Sequence, residues 1–279
     1  MTLLVRMHVY SGRPDPVWIV PEQHTKKILP NLEGMQGAGK PAGHRMGYRG
    51  FSVLRTDAGQ SGRPMIVDTP GSNAFTGTFV SGAPAIEEYL LWTGKKALSD
   101  RLSTHARQAI EAAVPPAEQG MEALSCPPCR GEDAPAYEPD WWNDNADRKA
   151  TNNCYAYANN QATNTFPQPG RGSGQMFTSL TCLGDDGVTA ASVRDGLVDV
   201  PDFSEMTPGW YVALVIWPDE DYHWYRQDSN GCWSHKPGMT DVINVDHAGN
   251  RITDPMTADR GPYTTFCTYM VTNSGVTIA

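Results

Sequence analysis

Apolar and polar residues alternate along several short stretches of the chain, and this period of two predicts β-strands. The first stretch stops at Gly12, where Gly-Arg-Pro is a typical turn sequence. The predicted strands of the N-terminal region are residues 2–12, 17–20, 48–57 and 63–69. These strands alternate with predicted helices, and the pattern therefore favours an α+β unit.

Two N-terminal stretches have helical spacing instead. Residues 21–35 open with a proline that a first helical turn tolerates, and Pro30 is expected to end or kink this helix. Residues 83–114 show helical spacing that is broken near Gly94. We therefore expect one helix in the first stretch and two in the second.

A region rich in proline and small residues follows Val114 and predicts a domain boundary. We divide the chain into residues 1–120, a small α+β domain of unknown role, residues 121–136, a linker containing Cys-Pro-Pro-Cys, and residues 137–279, a second domain. At 279 residues, the chain is long enough for two domains that each bury a core.

The second domain is predicted to combine one helix with an antiparallel sheet. A helix is expected to begin near Cys154, capped by Asn152 or Asn153, whose short polar side chains suit an N-cap. The predicted strands are residues 207–217, 221–228, 232–236 and 261–272. The middle two form a hairpin across Ser229-Asn230-Gly231, and the predicted fold class of the whole chain is α+β.

Charge and composition exclude several classes of protein. The 22 basic and 31 acidic residues give a net charge of -9, with no basic cluster, so we expect no nucleic-acid partner. The N-terminal apolar run is short and interrupted by Arg6 and His8, unlike a signal peptide or a membrane span. We therefore expect a soluble, cytoplasmic protein without membrane contact, with its six cysteines reduced.

One cysteine and two histidines form a candidate catalytic group. Cys154 is placed at a predicted helix start, where unpaired backbone N–H groups favour a thiolate. His223, on the first arm of the hairpin, is the candidate base. His235 lies on the second arm and can fix the ring of His223, although Asp246, Asp254 or Asn244 could fill that third position instead.

The order of these residues resembles that of papain-like cysteine hydrolases of the NlpC and CHAP type, over about residues 140 to 240. The matching positions are Cys154 in NNCYAYA, Pro208-Gly209 before a buried strand, His223 in DYHWYRQD and His235 in GCWSHK. The resemblance implies a papain-like C-terminal domain with an antiparallel sheet. It also implies a hydrolase that cleaves peptide-like amides through a thioester.

Several positions depart from the family pattern. Trp210 follows the glycine, aromatic residues follow His223, and the papain-type glutamine shortly before the nucleophile is missing. The backbone N–H of Cys154 could be one oxyanion donor, with Asn152, Asn153 or Tyr137 as the second. The predicted substrate-binding residues are Asn152, Asn153, Trp142 and Trp224.

Alternatives to the hydrolase remain open at this point. An acyltransferase of the same fold and a non-catalytic partner-binding module are both compatible with the sequence. Cys126 and Cys129 have thiol-redox spacing but lie in the predicted linker, and no second CxxC completes a zinc site. We expect no metal and no cofactor, and a peptide or peptide-like amide as substrate, while the sequence leaves the oligomeric state open.

Overall fold

The structure, a computed structural model, describes residues 2–33, 45–56, 78–112, 125–200 and 202–279. It divides into two compact units. The first comprises Met1–Val9, Asp15–Gly43 and Gly47–Pro116, and the second comprises Tyr10–Pro14, His44–Met46 and Ala117–Ala279. Residues 10–14 therefore belong to the second unit, although the sequence pattern assigned them to the first.

The described part of the first unit contains an antiparallel sheet. Its strands are β1 (Thr2–Met7), β2 (Val17–Val20), β3 (Phe51–Thr56) and β4 (Thr78–Val80), in the order β2-β1-β3-β4. Alternate residues of β1 are buried, as its sequence pattern predicts. The strand predicted at residues 63–69 lies outside the described residues, and β4 was not predicted.

Three helices of the first unit lie within the described ranges: α1 (Glu22–Glu33), α2 (Pro84–Thr93) and α3 (Asp100–Glu111). Of the two effects expected of Pro30, ending the helix is not what happens, since α1 continues to Glu33 with the proline inside it. Proline removes one backbone donor, and the helix tolerates this loss here. The predicted break at Gly94 is confirmed, because its backbone N–H caps α2 on the carbonyl of Leu90.

The second unit is built on another antiparallel sheet. Its strands are β5 (Val198–Val200), β6 (Trp210–Trp217), β7 (Asp221–Gln227), β8 (Trp233–His235) and β9 (Thr265–Thr272), in the order β5-β9-β6-β7-β8. Gly209, directly before β6, has φ +84°, and a Cβ there would lie 2.1 Å from the carbonyl oxygen of Thr272. Only glycine fits this approach between neighbouring strands.

Short helices accompany this sheet: α4 (Pro139–Asn143), α5 (Ala146–Thr151), α6 (Cys154–Ala158) and α7 (Val188–Arg194). One core cluster joins α6 and α7 to apolar side chains of the sheet, including Leu214 and Trp224. Helix α6 is buried along its full length, so its sequence CYAYA has no solvent-facing side. The burial explains why this helix lacks the charged face of a surface helix.

The cysteines are not all reduced, and that prediction is wrong. Disulfides join Cys126 to Cys232 and Cys182 to Cys267, with Cα atoms 4.8 Å and 5.2 Å apart. The partners are 106 and 85 residues apart in sequence, so only folding reveals the pairing. Disulfides persist in oxidising compartments and do not support the cytoplasmic expectation.

The architecture is α+β with two antiparallel sheets in the described part of the chain, as the sequence predicts at that level. Each sheet carries its own core, and the predicted hairpin of residues 221–236 is present as β7 and β8. None of the helices that the structure describes is long and apolar enough to cross a membrane.

Candidate functional site

The hairpin brings its two histidines into direct contact. In the register of β7 and β8, Tyr225 is opposite His235, which places His235 diagonally across from His223. Nε2 of His223 lies 2.8 Å from Nδ1 of His235. Nε2 of His235 in turn lies 2.9 Å from the carbonyl oxygen of Val245.

These two hydrogen bonds assign the protons of both rings. A carbonyl oxygen accepts only, so Nε2 of His235 carries a hydrogen and donates it to Val245. Burial lowers the pKa of His235 to about 4, so its ring is neutral near pH 7 and Nδ1 is an acceptor. Nε2 of His223 must then donate to it, and Nδ1 of a neutral His223 keeps the lone pair of a base.

The structure places His235 next to His223. The other three candidates for the third position, Asp246, Asp254 and Asn244, make hydrogen bonds with other residues. Asp246 accepts from the backbone N–H groups of Ala248, Asn250 and Asp259. Asp254 accepts from the N–H of Met256 and the hydroxyl of Tyr269. The carbonyl of Asn244 accepts from the N–H of Ile252.

Cys154 is the first residue of α6, and Asn153 is the N-cap. Oδ1 of Asn153 accepts from the backbone N–H groups of Tyr155 and Ala156, which confirms one of the two predicted caps. The guanidinium of Arg226, on β7, donates to the carbonyl and the hydroxyl of Tyr157. The contacts of Arg226 hold the second half of α6 against β7.

The thiol of Cys154 meets β7 at the peptide link between His223 and Trp224. The backbone N–H of Trp224 is hydrogen-bonded to Cys154 and acts to lower its pKa. Trp224 and Tyr222 share the core cluster of Cys154, whereas His223 lies on the alternate side, against Tyr263. The structure therefore brings His223 and His235 together, but it places Cys154 on the opposite face of β7 from the imidazole of His223.

The environment of Cys154 favours the thiol over the thiolate. Its side chain is fully buried, and burial raises its pKa well above the ordinary value, with the charge of Asp221 acting in the same direction. The Trp224 N–H and the charge of Lys236 oppose these effects without reversing them. The expectation of a helix-start thiolate is therefore wrong for this conformation, because burial outweighs the helix start.

Most of the remaining predicted site residues have packing roles. Asn152 donates through Nδ2 to the carbonyl of Arg148 and to Asn164, and does not point toward an open groove. Trp142 is buried against Tyr157, with ring centroids 5.2 Å apart. Trp224 is fully buried, and its ring lies 5.5 Å from that of Tyr155.

Burial raises the pKa of Tyr137 to about 12, with the charge of Asp228 as the next cause. Tyr137 packs beside the small cluster that contains Trp142. Neither observation puts the hydroxyl of Tyr137 in a position to donate a hydrogen bond to an oxyanion.

Asp221 is a buried residue of the site that the sequence reasoning missed. Its carboxylate accepts from the backbone N–H groups of Ser11, Gly12 and Arg13 and from the hydroxyl of Tyr263. Burial raises its pKa to about 6, although these hydrogen bonds act in the opposite direction. The sequence feature that could have identified Asp221 is its position at the start of a strand, two residues before His223, since an acidic residue is rarely buried without a specific partner.

Cysteine and histidine side chains such as those of Cys154, His223 and His235 can also ligate a metal ion. Within the described ranges, no group of three or more His, Cys, Asp or Glu side chains is arranged to hold a metal ion. Cys126 of the CxxC sequence is bonded to Cys232, and Cys129 has a free thiol.

Comparison with known proteins gives one informative similarity. The chain is 49% identical over 133 residues to "Insoluble matrix shell protein 1" of Ruditapes philippinarum, and the aligned region covers 47% of this chain and 84% of that protein. No protein-family model matches the chain. No solved structure matches it either.

Proposed function

The chain belongs to the family of insoluble matrix shell protein 1, and we propose, from the site's own residues, that it is an extracellular cysteine-dependent hydrolase or acyltransferase acting on peptide-like amides. The observation that carries the proposal is the hydrogen-bonded series from Val245 through His235 to His223. It gives His223 the tautomer of a general base, and because Cys154 lies on the opposite face of β7, the proposal requires the start of α6 to shift before catalysis.

The proposed chemistry assigns one role to each of these residues. After a rearrangement that brings Cys154 and His223 to the same face of β7, His223 takes the proton of Cys154 and the sulfur attacks the amide carbon. The imidazolium of His223 then returns the proton to the leaving amine, and a thioester remains. Water resolves the thioester in a hydrolase, and a second amine resolves it in an acyltransferase. His235 is a positioning residue that holds the ring of His223.

The proposed fold of the second unit is papain-like, of the NlpC and CHAP type. Three features support it: a helix that begins at the cysteine, an antiparallel sheet whose strand β7 carries the base, and a neighbouring strand that carries the orienting residue. Pro208-Gly209 before β6 also matches, and the close approach of Gly209 to Thr272 gives a physical reason for that glycine.

An extracellular location replaces the cytoplasmic one in this proposal. The two disulfides favour an oxidising compartment. The relative's name describes an insoluble protein of a shell matrix, and the same setting is proposed for this chain.

The test of the enzyme proposal is covalent trapping. The full chain is incubated with a library of peptide acyloxymethyl ketones, which react with catalytic cysteines, and labelled peptides are identified by mass spectrometry. We expect labelling at Cys154 that His223→Ala abolishes, since the base is then lost. Cys129→Ala is the matched control, because Cys129 is the other free cysteine.

Two results would contradict the proposal. One is labelling of Cys154 that is unchanged in His223→Ala, which would mean simple thiol reactivity. The other is labelling confined to Cys129 under conditions in which Cys154 is demonstrably accessible to iodoacetamide. A melting temperature for each variant close to that of the wild type excludes loss of fold as the cause.

A non-catalytic matrix component is the second candidate function, favoured by two observations. Cys154 is fully buried with a raised pKa, and the relative's name describes an insoluble matrix protein. In this case Cys154 is a core residue, and the Cys154→Ala variant assembles into insoluble material as the wild type does. A sedimentation assay that compares the two proteins, together with the trapping experiment, separates the two functions.

A further inference from the structure

The carbonyl of Gly12 receives an unusual number of hydrogen bonds. Nδ2 of Asn153 and Nε2 of Gln168 each lie 2.8 Å from its oxygen, and the hydroxyl of Tyr222 lies 3.1 Å from it. All three donors are buried, and Asn153 directly precedes the candidate nucleophile. A backbone carbonyl has two lone pairs, which the amides of Asn153 and Gln168 can satisfy, while the single hydroxyl hydrogen of Tyr222 lies 3.1 Å from both Gly12 O and Gln168 Oε1.

The backbone on both sides of this carbonyl is also held by side chains of the second unit. The carboxylate of Asp221 accepts the N–H groups of Ser11, Gly12 and Arg13 at 2.5, 3.2 and 3.0 Å. The hydroxyl of Tyr10 donates to Glu220 at 2.8 Å. The site therefore makes hydrogen bonds to both the N–H groups and a carbonyl oxygen of this segment's main chain.

The space at residue 12 accommodates only glycine. A Cβ on Gly12 would lie 2.4 to 2.7 Å from three ring atoms of Tyr222, closer than real Cβ atoms approach. The ring of Tyr222 is fully buried and has little room to move. At the next position, the guanidinium of Arg13 donates to the carbonyl of Glu220 and lies 5.4 Å from the ring centroid of Tyr10.

We propose that Asn153, Gln168, Tyr222 and Asp221 form a peptide-binding subsite for glycine-containing segments, occupied in this structure by the chain's own residues Tyr10–Pro14. This inference rests on the proposed cysteine-dependent function, for which it names the substrate class: peptides with glycine in the bound position and arginine after it. The segment is then an intramolecular competitor. Its removal exposes the start of α6, where Cys154 lies.

The test measures how fast Cys154 reacts with iodoacetamide in the full chain, followed by mass spectrometry of its peptide. Gly12→Ala is expected to accelerate the reaction at least tenfold, since the added methyl group expels the segment. Gly174→Ala is the matched control, because Gly174 has φ +83° with open space around a Cβ and no part in the subsite. Labelling of Cys129 serves as the internal reference for overall unfolding.

Competition then identifies the ligand. We expect the acetylated peptide amide Tyr-Ser-Gly-Arg-Pro to slow the labelling of Cys154 in Gly12→Ala, while the same peptide with alanine for glycine has no effect. Equal protection by both peptides, or labelling of Cys154 in Gly12→Ala as slow as in the control, would overturn the inference.

Arg13→Ala is a second variant that keeps the inference testable if Gly12→Ala does not fold. It removes the contact with Glu220 at a partly exposed position and should accelerate labelling less than Gly12→Ala does. An Arg13→Ala rate equal to that of the wild type contradicts a role for the arginine. These labelling rates do not require turnover of a substrate. A failure of the peptide-binding inference can therefore be distinguished from a failure of the enzyme proposal, which the trapping experiment tests.

Discussion

Nε2 of His223 lies 2.8 Å from Nδ1 of His235, and the second ring of the pair is locked by its own hydrogen bond to the carbonyl of Val245. The pair therefore has one arrangement of protons near neutral pH, in which His223 donates and His235 accepts. This relationship fixes which nitrogen of His223 carries the hydrogen, and so which one would act as a base in the proposed mechanism.

The first prediction concerns the positioning role of His235. In His235→Leu, nothing accepts from Nε2 of His223, and we expect the rate of Cys154 acylation by a trapping probe to fall about 100-fold. In His235→Asn, an amide oxygen can occupy the place of Nδ1 and should restore most of the rate. The pH profile of acylation is expected to shift in His235→Leu and not in His235→Asn. Equal losses in both variants would indicate a packing role alone.

The second prediction concerns the pH dependence of stability that arises from His235. Its folded-state pKa of about 4 lies below its ordinary value of 6.5, so the unfolded chain binds more protons between these pH values. The free energy of unfolding should therefore rise from pH 4 to pH 6.5, by about 3 kcal/mol from this group. Urea denaturation of His235→Asn at several pH values should lack this rise, and an unchanged pH profile would count against a buried neutral ring.

The third prediction concerns Asp221, whose effect has the opposite sign. Its folded-state pKa of about 6 lies above its ordinary value of 3.8, so the folded chain binds more protons in this interval. Its contribution to the free energy of unfolding is complete below pH 3.8 and is lost as the pH rises through 6. The stability difference between Asp221→Asn and wild type should therefore move in favour of the variant by about 3 kcal/mol from pH 4 to pH 7. Chemical denaturation across that range measures the difference.

The fourth prediction concerns the disulfides. Cys182→Ser opens the bond to Cys267 across 85 residues of sequence and should lower the free energy of unfolding by about 2–5 kcal/mol. Cys129→Ser is the control, since its thiol is free and its loss should leave stability nearly unchanged. Thermal unfolding without reductant gives the comparison. Equal stability of the two variants would contradict a structural role for the bond.

Local patterns predicted the parts of the fold that local physics controls. The continuous apolar run in residues 207–217 and the hairpin pattern in residues 221–228 predicted β6 and β7, and the expected cap at Asn152 or Asn153 predicted the start of α6. Each of these depends on neighbours within a few positions in sequence. Pro30 shows the limit of such local rules, because a residue that can end a helix lies inside α1.

The candidate site was only partly accessible to sequence reasoning. The contact between His223 and His235 followed from the hairpin register, because their separation and the turn between them were visible in the sequence. The burial of Cys154 was not, since the pKa of a thiol depends on every atom packed around it. The hydrogen bonds of Asp221 to residues 11–13 were also beyond reach, because those residues lie about 210 positions earlier in the chain.

The sequence alone determined the α+β class, most of the strands around the site and the pairing of two histidines on one hairpin. The tertiary structure decided which cysteines form disulfides and how deeply the candidate nucleophile Cys154 is buried. It also decided that the segment around Gly12 lies beside the start of α6. The division has one physical cause. Strand and helix patterns are set by short-range backbone preferences and amphipathicity, whereas disulfides, burial and buried charges depend on contacts between residues far apart in sequence.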